Sequence, residues 1–169
     1  SRKDQYDKLT FSMMYFYNER YLLPFSHDET VHGKATIVQK MNGEYENKFS
    51  QARAMYMYMY IHPGKKLNFM GNELGMLREW DEKQEQDWDL LKYPMHDSFR
   101  NYIFDLNKLY EKYDAFYYDY DPLNFEWADI SDREHSVYSI VRKSRDYDIL
   151  AIFNFDGIDV KITVNEFLS

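Results

Sequence analysis

Near residue 120 the apolar period of the chain changes from that of helices to that of strands, and no other feature narrows the possible folds as much. Before that point apolar helices alternate with short extended runs. Residues 9–17 are apolar almost throughout and read as a short buried helix. Tyr21-Leu22-Leu23-Pro24-Phe25 reads as extended, because Pro24 turns Leu23 away from the helical region and fits only a strand edge or end. A second helix is predicted over 45–61. It is apolar on most faces (Phe49, Ala52, Met55, Tyr56, Met59, Tyr60) and is stopped by His62-Pro63-Gly64. Within it Tyr56-Met57-Tyr58-Met59-Tyr60 alternates like a strand, but its neighbours favour a buried helix. Residues 66–70 form a second short strand, Gly71 to Gly75 a loop, and 76–97 a long polar stretch containing Trp80, Trp88 and His96. Phe99, Tyr102, Ile103, Leu106, Leu109, Tyr110 and Tyr113 then recur at helical spacing. They predict a helix over 98–116 with Asp97 as its N-cap.

After Asp121-Pro122 the period is two. Residues 125–129, 136–142, 149–155 and 160–164 read as four strands joined by polar turns, with Trp127 in the core and His135 in a turn. The first part has the rhythm of two strand–helix units of a parallel α/β fold. Two parallel strands do not make a sheet core by themselves, and four strands fall short of the roughly seven of a sandwich. Both parts therefore read as pieces of larger domains, with a boundary near 120.

The formal net charge of −8 speaks against a nucleic-acid partner or an anionic membrane surface, both of which need clustered Lys and Arg. A neutral substrate fits. The 169 residues contain no cysteine, which excludes a disulfide framework and a thiolate metal site and suits a reducing cytoplasm. No apolar run approaches the ~20 residues of a membrane helix. Ser1-Arg2-Lys3-Asp4-Gln5 has no apolar segment behind it, so no signal peptide is expected. Tyrosine is abundant, at 17 residues, more than one core hides. Its amphipathic ring can stack on sugar rings, but composition alone favours the plainer use, in packing amphipathic helices and sheet faces.

The string Leu23-Pro24-Phe25-Ser26-His27-Asp28-Glu29-Thr30-Val31-His32-Gly33-Lys34 gathers the reactive side chains. It supports three readings. A metal site is disfavoured because the two His are five apart, which puts them on different sides of a helix and misses the zinc spacing. A structural reading makes Asp28 the cap of a following helix, with His27 as its satisfied partner. A glycosidic reading places a carboxylate and an imidazole at the carboxyl end of a strand, where they hold ring hydroxyls through bonds that strengthen as the sugar distorts.

The ordered motifs Ser26-His27-Asp28-Glu29-x-Val31-His32-Gly33-Lys34, His62-Pro63-Gly64-Lys65-Lys66-Leu67-x-Phe69-Met70-Gly71-Asn72-Glu73, Arg78-Glu79-Trp80, Asp87-Trp88 and Asp121-Pro122-x-x-Phe125-Glu126-Trp127 closely resemble the glycogen branching enzymes of the α-amylase family. The resemblance runs from Asp7-Lys8-Leu9-Thr10-Phe11 to Asn154-Phe155 and is weakest at the C-terminus. It implies the C-terminal part of a (β/α)₈ barrel, residues 1–120 with barrel strands seven and eight and their helices. Residues 121–169 then begin an all-β C-terminal domain. It further implies that Asp28 is the third catalytic carboxylate and that His27 bonds the same sugar. Glu29, Trp80 and Trp88 are candidate substrate-binding residues, and no metal or organic cofactor is implied. The implied reaction cuts an α-1,4-glucan and transfers the segment to a 6-hydroxyl, making an α-1,6 branch by retaining double displacement. The family's Asp nucleophile and Glu acid/base have no counterpart motif in this chain. The expectation is therefore a piece of the enzyme that is inactive in isolation, binds α-1,4-glucans such as glycogen, amylose and maltooligosaccharides, and self-associates through exposed strand edges. Two rivals stand beside it. A non-catalytic α-glucan-binding module would keep the aromatics. A self-contained hydrolase would need a site among Asp28, Glu29 and Glu73.

Overall fold

The computed structural model describes residues 22–128, 136–155, 157–162 and 164. The helix expected at 9–17, the start of the family resemblance at Asp7, the turn around Ser131 to Glu134, and His135 lie outside the described residues. The described residues form two compact units, Leu22–Lys112 and the residues from Tyr113 onward.

The first unit is a parallel β–α–β unit followed by a helix. Strand β1 (Leu22–Phe25) and strand β2 (Lys65–Asn68) pair in parallel, with Leu22 opposite Lys65 and Phe25 opposite Asn68. The connection contains helix α1 (Tyr45–Ile61), whose ends agree with those read from the sequence. Phe49, Ala52, Tyr56, Met59 and Tyr60 are buried along it. Their spacing of three and four decides for helix over the strand-like Tyr/Met alternation. His62 leaves α1 in an extended conformation (φ −62°, ψ 136°), as a residue before proline must.

Helix α2 spans Pro94–Lys112, not 98–116. Pro94 occupies the first helical position, where its missing N–H costs nothing and its ring presets φ. Asp97, expected as the cap, is the fourth residue of the helix; its N–H and that of His96 donate to the Tyr93 carbonyl. His96, expected in a loop, is buried in α2 with Nδ1 2.8 Å from the Leu74 carbonyl oxygen. The core joins α1 and α2 through Phe49, Tyr56, Phe99, Ile103 and Leu106, with edge-to-face pairs Phe49–Phe99 and Tyr56–Phe99 at 5.6 and 5.7 Å.

Gly75 closes the loop after β2 with φ +64°, and a Cβ there would meet Phe49 Cε1 at 2.8 Å and His96 Nδ1 at 3.3 Å. Gly75→Ala combines left-handed strain with overpacking against a buried ring. It is expected to destabilise the chain by about 2–3 kcal/mol, read as a lowered urea midpoint.

In the second unit, strands β3 (Phe125–Trp127), β4 (Val137–Arg142) and β5 (Ile149–Asn154) form an antiparallel sheet in the order β3-β4-β5. Every residue of the central strand β4 is buried. Trp127 ends β3 half-buried, edge-on to Phe125 at 5.3 Å. The fourth strand expected at 160–164 is absent among the described residues. There the Asn154 side-chain amide donates to the Ile158 carbonyl (2.8 Å), closing a local turn in place of a further ladder. A buried ion pair, Arg142 Nη2 to Asp119 Oδ1 at 3.2 Å, ties β4 to the segment before it. Arg142 also donates to the Asn124 side-chain oxygen (2.7 Å) and the Ala115 carbonyl (3.0 Å). No helix among the described residues is long and apolar enough to cross a membrane.

Candidate functional site

Parallel pairing brings the carboxyl ends of β1 and β2 together, so the loops that leave them share one end of the pair. The Phe25 carbonyl, last in β1, accepts from the Phe69 N–H (2.9 Å) and from the buried Asn72 side-chain amide (3.1 Å). The chain then enters a single 3₁₀ turn, His27–Glu29, closed by Thr30 N–H to the His27 carbonyl at 2.8 Å. Asp28 sits within this turn and caps no helix.

His27 Nε2 lies 3.2 Å from Asp28 Oδ1. The imidazole is flanked by Phe69 and Trp80, with ring centroids at 5.6 and 6.0 Å, and these two rings meet edge-on at 5.2 Å. The Asp28 side chain stays 71% exposed. Its carboxylate therefore has lone pairs free for the hydroxyls of an incoming ligand, while the two flanking rings pack against the imidazole beside it.

Glu29, nominated alongside them, is engaged by Lys40: Nζ is 3.0 Å from Glu29 Oε2 and also donates to the Glu29 carbonyl. That ammonium holds the Glu29 carboxyl below its ordinary range. Trp80 joins His27, but Trp88 does not. It opens the 3₁₀ turn Trp88–Lys92, 53% exposed, and takes no part in the ring contacts around His27. Glu73 accepts from the Gly71 N–H at 3.0 Å and serves its own turn. Among the described residues no group of three His, Cys, Asp or Glu is placed to hold a metal ion.

The loop after the turn takes an unusual path. His32 and Ala35 have φ of 59° and 64°, and Gly33 between them has 78°. Left-handed backbone costs a residue with a Cβ roughly 1–2 kcal/mol. What holds it is Glu79: Oε2 accepts from Gly33 N–H at 3.0 Å and Oε1 from Ala35 N–H at 2.8 Å. These two backbone donors keep the Glu79 carboxyl below the usual range, with smaller help from His32 and Lys40. Trp80 N–H donates to the Thr30 carbonyl (3.1 Å), and Gln39 Nε2 to the Leu77 carbonyl (2.6 Å). Arg78 donates to Asp87 Oδ1 at 2.8 Å and to the Glu85 carbonyl at 2.9 Å. Sequence reasoning picked out the string Arg78-Glu79-Trp80 but assigned Glu79 and Phe69 no part. The string was the available signal.

No family model matches the chain. It is 45% identical over 152 residues to the 1,4-alpha-glucan branching enzyme of Geobacillus stearothermophilus, covering 89% of this chain and 24% of that protein. It is 45% identical over 160 residues to that of Aquifex aeolicus, covering 93% of this chain and 25% of that protein. It is 44% identical over 171 residues to that of Oceanobacillus iheyensis, covering 98% and 27% respectively. The chain thus spans about a quarter of the length of the curated relatives it matches. Identity at this level along nearly its whole length shows the chain to be homologous to one segment of the 1,4-alpha-glucan branching enzymes.

Proposed function

We propose that this chain is the part of a branching enzyme's (β/α)₈ barrel that supplies the third catalytic carboxylate, Asp28. The observation that carries the reading is the exposed Asp28 carboxylate beside an aromatic-packed His27, at the carboxyl ends of two parallel strands. Carboxyl ends of strands are the catalytic face of such barrels. In this reading β1 and β2 are the seventh and eighth barrel strands and α2 is the last barrel helix. Residues from about 121 open the β domain.

The reaction is transfer of an α-1,4-glucan segment to a 6-hydroxyl by double displacement. A nucleophilic Asp forms the glycosyl–enzyme bond as a Glu protonates the leaving chain. The same Glu then deprotonates the acceptor 6-hydroxyl, which displaces the Asp with retention. Those two groups stand about 5–5.5 Å apart in retaining enzymes and belong to parts of the enzyme outside this chain. Asp28 and His27 grip hydroxyls of the sugar at the cleavage point, through bonds that tighten as the ring flattens toward an oxocarbenium ion.

The test is the iodine–amylose absorbance on incubation with this chain alone, after circular dichroism has shown it folded. The absorbance is expected to hold steady. A fall that Asp28→Ala abolishes would show a complete site within these residues and overturn the division of labour. Retained affinity for maltooligosaccharides without activity, when the chain is restored to its whole enzyme, would favour a non-catalytic binding module.

A further inference from the structure

We infer that Glu79 is the positioning residue of the site, its carboxylate clamping the backbone of Gly33 and Ala35 so that the turn bearing His27 and Asp28 is held in its working geometry. This rests on the reading of Asp28 given above. Three observations carry it. First, the segment leaving the turn is left-handed at His32, Gly33 and Ala35, a path that residues with a Cβ do not hold unaided. Second, the only side-chain acceptors on the Gly33 and Ala35 N–H groups among the described residues are the two oxygens of Glu79, 46 and 44 positions away. Charge-assisted bonds of this kind are the stronger class, and two on one carboxylate fix orientation as well as distance. Third, the path so fixed returns to Asp28: Lys34, between the two clamped residues, donates from Nζ to the Asp28 carbonyl at 2.8 Å. The neighbouring Trp80 braces the same turn twice, by its N–H on the Thr30 carbonyl and by its ring against His27.

Glu79 itself has no contact with His27 or Asp28 among the described residues. Its effect on catalysis is therefore indirect. A displacement of about 1 Å at a transition-state group costs on the order of 100-fold in rate. Loosening the clamp therefore lowers kcat with little change in KM.

The experiment compares Glu79→Gln, Glu79→Ala and Asp28→Asn. In this chain, amide hydrogen exchange is followed at Gly33 and Ala35, with the α1 and α2 amides as a folding control. Gln keeps one acceptor and turns an N–H toward the other donor, so exchange at one of the two positions is expected to quicken about tenfold. Ala is expected to quicken both, with the helices unchanged in either variant. In the whole enzyme that carries the chain, Glu79→Gln is expected to lower kcat about 10- to 100-fold, and Glu79→Ala further, with KM within about threefold. Unchanged exchange at both positions overturns the clamp. Quickened exchange with unchanged kcat makes it structural only and overturns the positioning role, as does a rise in KM with kcat intact. Unchanged kcat in Asp28→Asn sinks the reading of Asp28 and the positioning role with it, while the exchange result still reports the clamp.

Discussion

Asp28→Asn, placed in the whole enzyme that carries this chain, is expected to lower kcat for branching by at least about 100- to 1,000-fold and to leave KM within a few-fold. The substitution keeps the side chain's size and an oxygen facing His27 Nε2, now 3.2 Å from Oδ1. It removes the negative charge. Positive charge on the sugar ring is small in the bound glucan and large at the transition state, so the lost attraction falls on the barrier and not on the ground state. The exposure of the carboxylate in this structure does not weaken that expectation, because a bound glucan expels the water around it and raises the worth of the charge. Branch formation followed over a range of amylose concentrations separates the outcomes. A raised KM with kcat unchanged would make Asp28 a ground-state binding group, and no effect on either would place transition-state stabilisation elsewhere.

Arg142→Met is expected to remove about 3–5 kcal/mol of stability, a large share of the 5–15 kcal/mol typical of a domain. Arg142 and Asp119 have fully buried side chains. The guanidinium joins Asp119, Asn124 and the Ala115 carbonyl, and its central carbon lies 5.9 Å from the centre of the Phe116 ring. Methionine fills much of the volume but takes the guanidinium away from Asp119, Asn124 and the Ala115 carbonyl, and the greater part of the penalty is the lost charge–charge attraction at a buried carboxylate. Adding Asp119→Leu to Arg142→Met should therefore recover part of the loss. Urea unfolding of the three proteins checks this. A double variant no more stable than Arg142→Met would assign the cost to the neutral acceptors instead.

Helices were legible where burial repeats along the chain. The stripe Phe49, Ala52, Tyr56, Met59 revealed α1 and its ends in spite of the alternating Tyr and Met. The start of α2 was displaced because Asp97 has the chemistry of a cap, while Pro94 holds the first helical position. The burial of His96 depends on the Leu74 carbonyl, 22 positions away, and no local pattern encodes such a partner. At the site, Pro24 followed by a polar cluster was enough to place His27 and Asp28 at a strand end. The pairing of Glu29 with Lys40, 11 positions away, comes from the path of the loop after β1. That path turns on left-handed residues such as Ala35, whose side chain gives no hint of it.

Glu79 addresses main-chain N–H groups, which every residue but proline possesses, and so it reads the shape of the loop without reading its side chains. This leaves room for evolution and for engineering. Position 32, with φ near 59°, accepts asparagine, aspartate or glycine in place of histidine and rejects valine or isoleucine. At position 33 a Cβ would meet open space, but φ is left-handed at 78°, so asparagine is the natural replacement for Gly33. The rim of the site can thus change its charge and hydrogen-bonding character from one homologue to the next while the turn beneath it keeps its form.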